Sequence, residues 1–168
     1  MQLLIVRHAH AGSREKFAET GQPDELRPLT KAGVRDMKEV ARGLRRIVPA
    51  IDSVVTSPLV RARQTADIVA DEFEVEIIES DTLRPDEEFA DFVNWVRRET
   101  KGEIVAAVGH EPHLSGLIAY LIGDSGDARI DLKKSGAALV SFDGRPEKGK
   151  GVLRWLITPR GATNKERD

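Results

Sequence analysis

The chain has 168 residues, of which 40% are hydrophobic and 32% charged, and its 26 Lys and Arg are offset by 28 Asp and Glu. This balance gives no basis for nucleic-acid binding, and no apolar segment is long enough to span a bilayer. The absence of cysteine excludes disulfides, thiolate metal ligands and a cysteine nucleophile. We expect one domain at residues 1–158 and a frayed polar tail at 159–168, in a cytoplasmic protein.

In chain order, apolar spacing predicts strands that alternate with helices, and a hairpin near the end. The predicted strands are 3–6, 52–56, 75–78 and 103–108, and the hairpin pairs 137–142 with 152–157. The predicted helices are 31–48 with Thr30 as its cap, one that begins at Ser57 and Pro58, 86–99, and an apolar helix within 109–123. Residues 12–28 are predicted to form a loop. The pattern favours an α/β fold, a three-layer α/β/α sandwich with a mostly parallel sheet.

All four histidines lie in two short motifs that each follow a predicted apolar strand. His8 and His10 belong to IVRHAHA at residues 5–11, and His110 and His113 belong to GHEPH at residues 109–113. Ligands of α/β sheets bind beyond the carboxyl ends of the strands. The sequence therefore predicts that both motifs contribute to one site.

A metal centre is one interpretation of these histidines. The His8-x-His10 pair could ligate a metal together with His110 and His113, which would suit a metal-dependent phosphoesterase. Arg7 argues against it, because a permanent positive charge beside a dication is costly. The metal interpretation stays open as an alternative.

Anion binding is the other interpretation, and it uses the arginines. The stretch SPLVRARQTA at residues 57–66 places Arg61 and Arg63 near the start of a helix, where free backbone N–H groups also favour an anion. For Arg63, a solvated position on the helix face is at least as good an explanation. The glycine-rich run at 144–151 nearly matches a phosphate-binding loop, but it lacks the hydroxyl residue and precedes a strand, which favours a hairpin turn.

Together the stretches VRHAHA, RPLTKAG, SPLVRARQTA and GHEPHLSGL, within residues 5–117, resemble the histidine phosphatase superfamily and its short, SixA-type branch of phosphohistidine phosphatases. The resemblance implies a phosphoglycerate-mutase-like fold that needs no metal or other cofactor. It implies that His8 is the nucleophile that becomes phosphorylated. It also implies that Arg7, Arg61 and His110 complete the catalytic, phosphate-binding pocket.

The stretch Leu83-Arg84-Pro85 departs from the superfamily's mutase-type members, which carry a glutamate acid at the matching place. This departure argues against mutase activity. A phosphohistidine imidazole that is protonated on its other nitrogen leaves as a neutral molecule, so its departure needs no proton donor. Asp86, Glu87 or Glu88 could still supply an acid.

The expected substrate is therefore a phosphohistidine-containing protein, such as a histidine phosphotransfer or phosphocarrier domain, whose P–N bond is hydrolysed. Two alternatives remain open. One is a small-molecule phosphomonoesterase that uses the same pocket, and the other is a non-catalytic module that binds phosphorylated partners. The intact set of His8 and its three neighbours argues against the module, because recognition alone needs no nucleophile.

Overall fold

A computed structural model describes residues 1–123 and 128–163. Its central feature is a six-stranded sheet with the strand order β3-β2-β4-β1-β5-β6. The strands are β1 (Gln2–Arg7), β2 (Ser53–Thr56), β3 (Ile77–Glu79), β4 (Ile104–Gly109), β5 (Ala137–Ser141) and β6 (Val152–Ile157). The first four pair in parallel, whereas β5 and β6 run antiparallel to their neighbours. The predicted mostly parallel sheet and C-terminal hairpin are confirmed.

Helices cover both faces of the sheet. The helices are α1 (Arg14–Ala18), α2 (Lys31–Ile47), α3 (Val60–Phe73), α4 (Phe89–Glu99), α5 (His113–Ile122) and α6 (Pro159–Thr163). Leu4 and Val6 of β1 pack into a core with α2 and α3, while Leu3 and Ile5 pack into a second core with α4 and α5. A strand that is buried on both faces needs a continuous apolar run, which is the pattern at residues 3–6. The three-layer α/β/α sandwich is confirmed.

Three predicted boundaries are wrong for local reasons. Helix α3 begins at Val60, with Leu59 as its cap, because the Ser57 N–H continues the sheet by donating to the Val108 carbonyl at 3.1 Å. Strand β3 begins at Ile77 instead of residue 75. Helix α4 begins at Phe89 instead of residue 86.

The predicted loop at 12–28 contains more structure than its Gly and Pro content suggests. Helix α1 begins after Ser13, whose hydroxyl accepts the Lys16 N–H at 3.3 Å, and residues Asp24–Leu26 form one turn of 3₁₀ helix. Both elements are too short for a sequence period to reveal them. They bring Asp24 to the carboxyl end of the sheet.

The C-terminal segment also differs from the prediction. Residues Pro159–Thr163 form α6, and the backbone at Ala162 lies so close to Gly43 of α2 that a side chain at residue 43 would overlap it. The expected fraying is therefore wrong for residues 159–163, while 164–168 lie outside the described residues. The domain division at residue 158 stays a prediction. No helix in the described ranges is both long and apolar enough to cross a membrane.

Candidate active site

The pairing of β1 with β4 brings His8 and His110 together. Arg7 is in register with Gly109, and the His8 N–H donates to the Gly109 carbonyl at 3.0 Å, so the next residue of each strand lies at the same edge. The two imidazole centroids are 5.2 Å apart, and both rings are buried. Two motifs a hundred residues apart therefore form one site, as their positions after the strands predicted.

A backbone contact sets the tautomer of His8. Its Nδ1 lies 2.7 Å from the carbonyl oxygen of Ala9, and because a carbonyl only accepts, Nδ1 carries the proton. Burial, and then the charges of Arg61 and Arg7, lower the pKa of His8 from 6.5 to about 3. The ring is neutral near pH 7, and its Nε2 holds a free electron pair.

His110 is neutral for the same reasons. Burial, followed by the neighbouring His8 and Arg61, lowers the pKa of His110 from 6.5 to about 2. Its Nε2 lies 2.9 Å from Oγ of Ser57, a residue at the end of β2. The ring is therefore neutral near pH 7, and its protonated form is disfavoured.

The two predicted arginines approach the histidines from different elements. Arg7 ends β1, and its Nη1 donates to the Leu132 carbonyl at 2.8 Å. Arg61 lies in the first turn of α3, and its Nη1 donates to the Asp24 carbonyl at 2.8 Å. The Nε atoms of both arginines and Nδ1 of His110 are buried without a hydrogen-bond partner. Buried N–H groups without a partner, such as the two arginine Nε atoms, are typical of a site that binds an anion.

A cavity of about 600 Å³ opens at this edge of the sheet, and Arg7, His8, Arg61 and His110 all line it. The structure thus brings together the four site residues that the resemblance implied. Their roles in catalysis stay predictions.

Asp24 also lines the cavity, and the sequence interpretation missed it. Its carboxylate accepts a hydrogen bond from Nε of Arg27 at 2.7 Å and lies 3.3 Å from Nη1 of Arg61. The hydrogen bond from Arg27 lowers the pKa of Asp24, with Arg61 and Arg14 acting in the same direction. The site therefore contains a permanent internal anion.

The RPLTKAG stretch holds the loop that follows His8. Arg27 donates to the carbonyls of Ala11 and Gly12 at 3.3 and 3.1 Å. The Thr30 N–H donates to the His10 carbonyl at 2.9 Å, and a side chain at Gly33 would overlap that same carbonyl. This stretch was part of the resemblance, and these contacts explain its residue types.

The remaining predicted candidates lie elsewhere. His10 is exposed, and His113 is buried with its ring centroid 5.2 Å from that of Phe89. Arg63 pairs with Asp67 at 3.0 Å and with Glu79 at 2.5 Å, which confirms its position on an exposed helix face. Within residues 1–123 and 128–163, no three His, Asp or Glu side chains form a cluster that could hold a metal ion.

The segment without the mutase-type glutamate borders the cavity. Arg84 is fixed by Glu25 at 2.8 Å and by Asp81 at 2.7 Å. Of the three carboxylates considered as substitute acids, Asp86 and Glu87 line the cavity, whereas Glu88 caps α4 and is absent from the lining. Two of the three candidate acids therefore face the cavity.

The chain is similar to proteins of one known family. The family model for branch 1 of the histidine phosphatase superfamily matches residues 3–85. The chain is 34% identical over 140 residues to an uncharacterised protein of Picosynechococcus sp., covering 81% of this chain and 82% of that one. It is 29% identical to the phosphohistidine phosphatase SixA of Escherichia coli, covering 95% and 94% of the two chains.

Among solved structures, the protein histidine phosphatase SixA complexed with tungstate superimposes with a TM-score of 0.78 at 27% identity, covering 95% of this chain and 97% of that one. This likeness confirms the phosphoglycerate-mutase-like fold that the resemblance implied.

Proposed function

This chain belongs to the histidine phosphatase superfamily and is a phosphatase of the hydrolase class, and from this premise we propose that it hydrolyses phosphohistidine on a partner protein. The observation that carries the proposal is His8, a neutral imidazole with Nδ1 bound to the Ala9 carbonyl and Nε2 free. A neutral nitrogen held in one orientation is what nucleophilic phosphoryl transfer requires.

In the first step, Nε2 of His8 attacks the phosphorus in line with the substrate nitrogen. The P–N bond to the substrate breaks while the P–Nε2 bond forms, and the substrate imidazole departs as a neutral molecule. In the second step, water attacks the phosphorus and passes one proton to a phosphate oxygen, the P–Nε2 bond breaks with its electron pair returning to His8, and inorganic phosphate is released. In both steps the bond that breaks is a P–N bond, and the group that leaves is a neutral imidazole that needs no proton.

Arg7, Arg61 and His110 stabilise the transferring phosphoryl group. Arginines donate to phosphate oxygens in a fixed fork geometry, and preorganised donors of this kind are usually the largest contribution to catalysis. The Nε atoms of Arg7 and Arg61, which are buried without a hydrogen-bond partner, support this role. Helix α3 also presents its N-terminus to the same region, which favours an anion.

The leaving group connects the site to a phosphohistidine substrate. The stretch Leu83-Arg84-Pro85, which matches the place where mutase-type members carry the acid, contains no carboxylate, and the guanidinium of Arg84 is occupied by Glu25 and Asp81. An alkoxide departs poorly without a proton, whereas imidazole does not need one. This difference supports a histidine phosphotransfer or phosphocarrier domain as the partner, as does the similarity to SixA.

A small-molecule phosphomonoesterase is the second candidate, and the observation that favours it is the presence of Asp86 and Glu87 in the cavity lining. Either carboxylate could protonate an alkoxide if it reached the leaving oxygen. A non-catalytic module that binds phosphorylated partners would have no use for the free Nε2 of His8.

The test compares turnover of a phosphohistidine protein with turnover of small phosphate esters by the same preparation. We expect the phosphoprotein to be hydrolysed with the higher kcat/KM, and His8→Ala to hydrolyse neither. Equal or greater efficiency on alkyl phosphates would transfer the proposal to the second candidate. Phosphoprotein binding without phosphate release by the intact chain would support the non-catalytic module.

A further inference from the structure

The cavity lining contains six cations, and most of them have a carboxylate partner. The paired ones are Arg14, Arg27 and Arg61, which contact Asp24, and Arg84, which contacts Glu25. Arg7 and Lys134, in contrast, form no ion pair with any carboxylate of the described ranges. These two cations are the ones whose charge the protein leaves uncompensated.

The backbone fixes Lys134 next to the nucleophile. On one side of it, the Leu132 carbonyl accepts the hydrogen bond from Arg7 Nη1 at 2.8 Å. On the other side, the Ser135 N–H lies 3.2 Å from the Arg7 carbonyl and 3.3 Å from the His8 carbonyl. Ser135 has φ of 58°, a left-handed conformation that an L-residue adopts only when its surroundings require it. The turn that carries Lys134 is therefore tied to the end of β1.

The neighbouring Lys133 shows what an ordinary surface lysine does in the same turn. Its ammonium pairs with Asp131 at 2.6 Å, and its side chain is 59% exposed. Lys134 is half-buried and lines the cavity. Two consecutive lysines thus point to different environments, and Lys134 is the one in the phosphate-binding cavity.

An ammonium beside three guanidinium groups is electrostatically unfavourable without an anion. Burial, and then the charges of Arg7, Arg27 and Arg61, lower the pKa of Lys134. A phosphoryl group on a protein carries about two negative charges near pH 7, so Arg7 and Lys134 together match its charge. Binding of the phosphoryl group would relieve the repulsion among the four cations.

We propose that Lys134 is a further substrate-binding residue, whose ammonium donates to a phosphoryl oxygen and, with Arg7, neutralises the bound dianion. The proposal deepens the proposed function, because it assigns another group to the same phosphate pocket. It does not depend on which phosphorylated molecule is the substrate, since it concerns only the phosphoryl group. Lys134 acts as a point charge, and Arg7 supplies the forked geometry.

The first experiment measures the affinity for an oxyanion without any turnover. Calorimetry at pH 8 gives the Kd of inorganic phosphate and of tungstate for the full chain and its variants. We expect Lys134→Met to weaken both affinities at least about tenfold, as loss of one charge-assisted hydrogen bond of roughly 1.5–3 kcal/mol predicts. Lys134→Arg should retain most of the affinity, and the matched control Lys133→Met should change it less than twofold.

A second experiment uses the unmodified protein, so it does not depend on how a variant folds. Acetic anhydride labels the lysines with and without saturating tungstate, and peptide mass spectrometry measures the rate at each site. Bound tungstate should slow labelling of Lys134 several-fold and leave labelling of Lys133 unchanged. Equal labelling of Lys134 in both conditions, or an unchanged Kd in Lys134→Met, overturns the proposal.

The two proposals fail separately. If the chain does not hydrolyse phosphohistidine proteins but Lys134→Met still loses oxyanion affinity, the phosphate-binding role of Lys134 stands and the assigned substrate is wrong. If phosphohistidine turnover is normal in Lys134→Met, the substrate stands and the role of Lys134 is wrong.

Discussion

Asp24 contacts Arg61 twice: its carbonyl oxygen lies 2.8 Å from Nη1, and its carboxylate lies 3.3 Å from the same nitrogen. The carboxylate also accepts a hydrogen bond from Arg27 at 2.7 Å. An internal anion therefore orients Arg61 and at the same time compensates part of the positive charge that a phosphoryl group would meet. These two effects have opposite consequences for anion binding.

We expect Asp24→Asn to bind inorganic phosphate at least about threefold more tightly, because the repulsion between the carboxylate and the phosphate is removed. Two unit charges 4 Å apart near a protein surface interact by about 4 kcal/mol, and a small part of that energy is enough for a threefold change in affinity. The amide keeps the size of the side chain, and the backbone contact to Arg61 does not depend on it. Product inhibition by phosphate gives the measurement. Asp81→Asn, which removes an exposed partner of Arg84, is the control. Weaker phosphate binding in Asp24→Asn would mean that orientation of Arg61 outweighs the charge.

The nucleophile can be identified by trapping the phosphoenzyme. Rapid quench with labelled substrate should give a phosphoprotein that is labile in acid and stable in base, as a phosphoramidate is. His8→Ala should give none, because the imidazole whose Nδ1 is fixed by Ala9 and whose Nε2 is free has been removed. His10→Ala, two residues away and exposed, should still be labelled. Label on a carboxylate or a serine would show that the assigned nucleophile is wrong.

The pairing of His8 with His110 could be predicted from the sequence because it follows from topology. Parallel strands of an α/β sheet end at the same edge, so apolar runs that each stop at a histidine bring the two imidazoles together. The strand order itself, with β1 beside β4, was not needed for that inference. Arg61 required the family resemblance, since its helix position alone suited Arg63 equally well.

Asp24 and Lys134 could not be predicted because their positions depend on segments without a repeating pattern. The turn at Asp24–Leu26 reaches α3 across 37 residues of sequence, and Lys134 is placed by hydrogen bonds to Arg7 and His8. Similarly, Pro58 suits a first helical position, but the hydrogen bond from Ser57 to Val108 extends the strand instead. In each case a tertiary contact outweighs the local preference.

Chelation and a matched pair of arginine variants distinguish a metal-free mechanism, in which arginines bind the phosphoryl group, from a mechanism that depends on a metal ion. Activity should survive exhaustive treatment with EDTA, while Arg61→Ala should lose about 10²–10³ in kcat, as is usual for one preorganised donor. Arg63→Ala, on the same helix but paired with Asp67 and Glu79, should lose little. Loss of activity on chelation that zinc or manganese restores would contradict the metal-free mechanism.

The buried histidines should make stability depend on pH. The pKa values of His8 and His110 are lowered to about 3 and about 2, so the unfolded chain binds more protons than the folded one as the pH falls below 6.5. The contribution of these two neutral histidines to the free energy of unfolding is complete above pH 6.5 and is lost progressively as the pH falls toward 3. We expect each of the two histidines to lower the free energy of unfolding by on the order of 2 kcal/mol between pH 7.5 and pH 5.

Urea unfolding across this pH range, in buffers without phosphate, measures the slope of the free energy of unfolding against pH. His8→Asn should make it shallower, because one of the three buried histidines whose pKa is lowered is removed. His10→Asn, which removes an exposed histidine, is the control. A slope that is the same in His8→Asn and in the parent chain would contradict the assignment of His8 as buried and neutral.

The dependence of rate on the leaving group tests the role of Leu83-Arg84-Pro85. Without a proton donor at that place, esters of acidic phenols and phosphohistidine should be cleaved far faster than sugar phosphates or phosphoserine. The expected contrast is about 10²–10⁴, the usual contribution of a positioned general acid. Steady-state kcat/KM values for a series of aryl and alkyl phosphates, plotted against the pKa of the leaving alcohol, give the measurement.

Amide variants of the nearby carboxylates then test for a substitute acid. Asp86→Asn and Glu87→Gln remove the two candidates that line the cavity, and Glu88→Gln is the matched control because Glu88 is absent from the lining. We expect none of the three to change turnover of phosphohistidine by more than a few-fold, since the imidazole departs without a proton. The opposite outcome has two parts: the parent chain hydrolyses alkyl esters as fast as phosphohistidine, and Asp86→Asn or Glu87→Gln loses most of the alkyl ester hydrolysis. That outcome would identify the replaced residue as the acid. The small-molecule phosphomonoesterase would then be the better description of the protein.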